Sequence, residues 1–161
     1  DAIEIGKALI EAGSDLLVPS GGLVFKTPFF LMRGDVPLRL MVKAEKNFAQ
    51  RWALRIFGPH IMRPYKYKSN FFFEDSFQIM KKGRVPVALL GGVDSATAAE
   101  QAMDAGFDFV VMGRALLADP HFVNRVRNGE AVVSRCNHCN ACVGEMDLGG
   151  VRCVLEPSAT N

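Results

Sequence analysis

The chain has 161 residues, 49% hydrophobic and 22% charged, a balance that excludes a disordered chain and fits one globular domain with a sizeable core. Its net charge of +2 is too small to argue for a nucleic-acid partner, and no run reaches the roughly 18 apolar residues of a membrane-crossing helix. The opening residues, DAIEIGKALIEAG, lack the charged start, apolar centre and cleavage site of a signal peptide, and read instead as a helix.

Residues 3–12 place Ile3, Ile5, Ala8, Leu9 and Ala12 at helical spacing, with Gly13 as the C-terminal cap. Asp15–Pro19 is a short apolar run between turn signals, which predicts a buried parallel strand. Ser20-Gly21-Gly22 then opens a loop. Residues 23–70 form a long insertion, since a strand-to-helix loop ordinarily has about 2–6 residues. Inside it, Met41, Ala44, Phe48, Trp52 and Ile56 predict a helix that ends at Gly58-Pro59.

From Arg39 to Lys68 there are eight Lys or Arg (39, 43, 46, 51, 55, 63, 66 and 68) against one acid, Glu45. This basic amphipathic insertion is expected to pack Phe48 and Trp52 on the rest of the protein and to solvate its charged face. Two further readings are a lid that attracts an anionic substrate or nicotinamide phosphates, and a contact with an acidic membrane surface. Tyr65 and Tyr67 read as surface aromatics, and His60 as a loop residue.

A helix is expected over 74–83, ended by Gly83, and a second buried strand over Val85–Leu90. Gly91-Gly92 follow at once. Asp94 or Ser95 caps an Ala-rich helix that stops at Gly106. Phe107–Met112 reads as a third strand, followed by Gly113-Arg114. Asp119-Pro120 supplies a cap and an N1 proline for a helix over about 120–128. Alternating helices and strands imply a parallel sheet with right-handed crossovers, in a barrel or an open sheet.

Gly91 and Gly113 are 22 residues apart, one helix–strand unit. Adjacent parallel strands would therefore present Gly91-Gly92 and Gly113-Arg114 side by side. A phosphate dianion needs these residue types: glycine lets backbone N–H groups approach closely, and Arg114 adds a charge-assisted, bidentate contact.

The run VPVALLGGVDSATAAEQAMDAGFDFVVMGRALLADPHFVNRVRNGE resembles the last two strands of the old yellow enzyme, or NADH:flavin oxidoreductase, family, which includes the 2,4-dienoyl-CoA reductases. VPSGG, residues 18–22, resembles the end of strand six. The resemblance implies an α/β chain forming about strands 6–8 of a (β/α)8 TIM barrel. It implies a flavoprotein whose FMN phosphate is held by Gly91, Gly92, Gly113 and Arg114. The implied reaction passes hydride from NAD(P)H through FMN to a small-molecule substrate with an activated C=C bond. The family's catalytic residues come from earlier strands, so no catalytic residue is assigned here. A full barrel has eight strands and about 250 residues. A missing N-terminal half-barrel, or a homo-oligomer, is therefore expected to complete the sheet, and the chain alone is expected to be inactive.

All four cysteines lie in the last 26 residues, as Cys136-x-x-Cys139-x-x-Cys142 and then Cys153. Clustered thiols fit a reducing, cytoplasmic setting and a metal site, with a [4Fe–4S] cluster or zinc on these four residues. The segment resembles the iron–sulfur ligands of the dienoyl-CoA reductase branch, except that only Asn140-Ala141 separate the second and third cysteines. The expected organisation is residues 1–130 as partial barrel, including the insertion 23–70, and residues 131–161 as the cysteine-rich segment. The alternatives are another phosphate-binding barrel enzyme and a non-catalytic, metal-stapled interaction module.

Overall fold

The computed structural model describes residues 2–23, 26–27, 29–130, 132–146 and 148–155. In chain order the elements are α1 (Ala2–Glu11), α2 (Leu38–Ala44), α3 (Phe48–Ile61), α4 (Phe73–Met80), β1 (Ala88–Leu90), α5 (Ala96–Asp104), β2 (Phe109–Val111), α6 (Arg114–Ala118), α7 (Phe122–Arg127) and α8 (Ala141–Glu145). The chain divides into two compact units: residues 1–21 with 68–134, and residues 22–67 with 135–161. Residues 23–67 of the basic insertion thus share a unit with the cysteines, while Lys68, Ser69 and Asn70 belong to the first unit.

The first unit is α/β. β1 and β2 pair in parallel, with Ala88 opposite Phe109 and Leu90 opposite Val111. The strand expected at 15–19 contracts to one parallel bridge, Leu17 to Val87, in which the Leu17 N–H donates to the Pro86 carbonyl and the Ala88 N–H to the Leu17 carbonyl. The expected strands 85–90 and 107–112 shrink for a local reason. Pro86 has no N–H to give a ladder. The Val87 N–H donates to the Asp108 carboxylate at 3.0 Å, and the Asp108 N–H returns to the Val87 carbonyl. This side-chain exchange stands where a further rung would be.

Against one face lie the apolar residues of the helices. Leu17, Ile79, Val87, Leu89, Val93, Ala98, Ala102 and Phe107 form the buried cluster. Ala98 and Ala102 are four residues apart, so α5 turns one small-residue face inward and sits close to the sheet. Ser95 caps α5, its hydroxyl accepting the Ala98 N–H at 3.1 Å, and Gly106 follows the helix at φ +98°.

In the second unit, the helix expected over 41–56 is two helices. The break falls at Glu45–Asn47. Asn47 caps α3 by accepting the Ala49 and Gln50 N–H groups, and Arg51 donates from Nε and Nη2 to the Glu45 carbonyl. The expected stop at Gly58-Pro59 does not occur, because α3 runs on to Ile61. Gly58 is buried, and a Cβ there would meet Leu38 Cδ1 at 2.6 Å, so this glycine serves α2–α3 packing. Pro59 faces outward, where solvent can reach the carbonyl its missing N–H leaves behind.

Candidate functional site

Gly91, Gly92, Gly113 and Arg114 all belong to the first unit. They follow directly from β1 and β2. Continuing the register one step past Leu90 and Val111 sets Gly91 opposite Met112, and a second step sets Gly92 opposite Gly113. The two signatures therefore emerge side by side from one edge of a parallel sheet, the carboxyl edge at which α/β proteins place their ligands.

The glycines are not equivalent. Gly91 and Gly92 have φ of +104° and +85°, the left-handed region that a Cβ disfavours. They are also crowded by their own chain. The Phe71 N–H donates to the Gly91 carbonyl and the Asn70 N–H to the Gly92 carbonyl. A Cβ on Gly91 would meet Phe72 and Phe71 ring carbons at 2.7 and 2.8 Å, and one on Gly92 would meet the Lys68 carbonyl oxygen at 2.7 Å. Ser69 Oγ closes the same crossing, 3.1 Å from the Gly92 carbonyl oxygen. The pair is thus needed for the passage of residues 68–72 whether or not a ligand binds. At Gly113 a Cβ would meet nothing within 4 Å. That position is open, which is what close approach of a ligand requires.

Arg114 is half-buried at the start of α6. The turn beyond it is pinned by Asp119, which is 6% exposed. Asp119 accepts the His121 N–H at 3.0 Å and pairs with Arg125 at 3.0 Å. The expected start of this helix at Asp119-Pro120 does not occur: α7 begins at Phe122 with His121 at its N-cap, and Asp119 instead holds the turn before it. Hydrogen bonds to Glu130 first and then Asp119 hold the Arg125 guanidinium above its ordinary, already high, pKa.

The donor set fits a phosphate: parallel strand ends, three glycines and one half-buried arginine. Lys68, whose carbonyl lies against Gly92, brings a second cationic residue to that neighbourhood. Its only sequence signal is membership of the basic run, and that run places it far from the glycines in the chain.

The cysteines behave differently. Cys136, Cys139, Cys142 and Cys153 are half-buried thiols outside any disulfide. Among the described residues no three of His, Cys, Asp and Glu converge as a metal-ligand group. The cysteine loop is held by other residues. Asn140, 1% exposed and at φ +55°, donates from Nδ2 to the carbonyls of Met32 and Asp35 at 2.6 and 2.8 Å. His138 stacks on Tyr67 with ring centroids 3.4 Å apart. Tyr65 meets the Phe30 ring edge-on at 5.3 Å. The two tyrosines are therefore half-buried packing residues and not surface aromatics. Phe48 and Trp52, expected to pack, are exposed.

No protein-family model matches the chain, and no solved structure does. Three characterised proteins are similar to it. A 4,4'-dithiodibutanoate disulfide reductase of Rhodococcus erythropolis is 34% identical over 141 residues, 88% of this chain and 34% of that protein. An NADH oxidase of Thermoanaerobacter brockii is 27% identical over 63% of this chain and 16% of its own length. A bilirubin reductase of Mediterraneibacter gnavus is 33% identical over 50% of this chain and 12% of its own length. The chain spans about a third of the length of the first relative and less of the others. All three are oxidoreductases by name, and this chain is similar to oxidoreductases over most of its length.

Proposed function

We propose that this chain supplies the phosphate-binding edge of an FMN-dependent NAD(P)H oxidoreductase built on a (β/α)8 barrel. One observation carries the reading: the parallel register of β1 and β2, which sets Gly91-Gly92 beside Gly113-Arg114. Similarity to a disulfide reductase, an NADH oxidase and a bilirubin reductase supports redox chemistry with a nicotinamide donor. When bound, FMN supplies a ring that accepts hydride from NAD(P)H and delivers it to an acceptor. The part of this chain is to hold the tail. Backbone N–H groups at Gly91, Gly92 and Gly113 would donate to phosphate oxygens, Arg114 would pair with the dianion, and Lys68 would add a second positive charge. Fixing the tail fixes where the ring lies.

An activated alkene is the proposed acceptor class. A disulfide is the second to try, because a relative similar over 88% of this chain is named for one. The cysteines are given no step in the reaction. The ligand reading predicts iron or zinc in stoichiometric amount after anaerobic purification, and metal-free protein would end it.

The deciding experiment is flavin titration of the intact enzyme carrying Arg114→Ala. Loss of a charge-assisted contact should weaken FMN binding on the order of 10- to 100-fold. Unchanged affinity would sink the assignment.

A further inference from the structure

α3 touches its own unit along a narrow line. Leu54 is half-buried and Gly58 buried, while most other residues of the helix are exposed. At about 100° per residue, Phe48, Trp52 and Ile56 fall on the side opposite Leu54 and Gly58. They are 72%, 55% and 48% exposed. Single exposed apolar residues are ordinary, but three at i, i+4 and i+8 make a continuous stripe.

Cations flank that stripe. Arg51 and Arg55 lie along one side of it. With Arg39, Lys43, Leu38 and Val42 they line an open groove of about 540 Å³, and no acid contributes to its wall. Residues 39–68 hold eight of the 19 Lys and Arg but one of the 17 Asp and Glu. The remainder of the chain is left with eleven cations against sixteen acids, so the positive charge is concentrated here. A stripe of Phe, Trp and Ile bordered by long cationic side chains is the pattern of a helix lying in a lipid interface. With 14 residues, α3 is too short to cross a bilayer and can only lie along one.

We propose that α2 and α3 form a docking surface for an anionic lipid membrane. Phe48, Trp52 and Ile56 enter the boundary between headgroups and acyl chains. Arg39, Lys43, Arg51 and Arg55 face the lipid phosphates. The sign of the charge selects anionic over neutral lipid, and the apolar stripe makes attachment more than electrostatic.

Trp52 is the one tryptophan of the chain, so its emission reports directly on the stripe. The whole chain is titrated with vesicles of phosphatidylcholine alone and of phosphatidylcholine mixed with phosphatidylglycerol. A blue shift and co-sedimentation with the mixed vesicles are expected. Binding should weaken on the order of tenfold between about 0.1 M and about 1 M salt, as screening shortens the reach of the charges. Phe48→Ser with Ile56→Ser, which keeps the reporter, should lower partitioning by at least about tenfold. Three results overturn the proposal: no shift with mixed vesicles, equal binding to neutral vesicles, or a Trp52 emission already blue-shifted and shielded from acrylamide without lipid. The last would assign the stripe to a protein surface.

Discussion

The two units hold their chains by different means. In the first, apolar residues spaced for helices and strands meet in one cluster, and the polar groups act at the ends: Ser95 on α5, Asp119 before α7, Asp108 beside β1. In the second, a buried amide bonds two carbonyls more than a hundred residues away in sequence, an imidazole stacks on Tyr67, and an arginine ties the α2–α3 break. Where burial organises the chain, local pattern is enough to place elements. Where single polar contacts organise it, the partner is distant and the pattern is mute.

That difference decides what could be read in advance. The first helix, a cap at Asp94 or Ser95 and the stop at Gly106 follow from neighbours within four residues and were legible; the Ala98 N–H then selects Ser95. The strands were legible in position but not in length, because Pro86 and the Asp108 carboxylate act across the pair. Gly58-Pro59 looked like a helix end because glycine's most frequent use is conformational; here it makes room for Leu38. The adjacency of the two glycine signatures came from their spacing. The crowding of Gly91 and Gly92 by residues 68–72 did not, since that crossing brings together segments about twenty residues apart. Asn140 carried no signal beyond its place between two cysteines.

The largest expected effect is at Asn140. Asn140→Ala removes both hydrogen bonds, leaves two carbonyls without their donor and puts alanine, which tolerates the left-handed region less well than asparagine, at φ +55°. It should cost about 2–4 kcal/mol in thermal or denaturant unfolding. Asn140→Gly relieves the backbone part and should recover about 1 kcal/mol of that. Equal losses would show that the αL geometry contributes nothing and that the bonds alone hold the loop. Hydrogen exchange should show the loss confined to residues 22–67 and 135–155, with β1 and β2 protected as before. Loss of protection in β1 and β2 would break the distinction between the units.

Gly92→Ala tests the first unit in the same way. The new methyl would lie 2.7 Å from the Lys68 carbonyl oxygen and 2.8 Å from the Asn70 nitrogen, both backbone atoms, at φ +85°. A cost of about 2–3 kcal/mol is expected from strain and displacement of the crossing segment. A neutral substitution would mean that residues 68–72 do not pass over the glycine pair. Ser95→Ala should cost less, about 1 kcal/mol, by losing the cap on α5. The melting temperature checks it, and no change would remove Ser95 from the account of that helix.

Gly113→Ala has the smallest expected effect on stability and says most about function. Its φ of −104° lies outside the left-handed region, and a Cβ there meets nothing within 4 Å. The melting temperature should move by no more than about 0.5 kcal/mol of stability allows. The open space is where a phosphate would approach the backbone, so flavin affinity should still fall several-fold in the intact enzyme. Gly92→Ala cannot separate folding from binding, because the same methyl disturbs both. At Gly113 the two come apart. Weakened binding with an intact melting temperature would mark a ligand-facing glycine, whereas unchanged binding would leave Gly113 an ordinary turn residue and leave Arg114 as the phosphate contact of that loop.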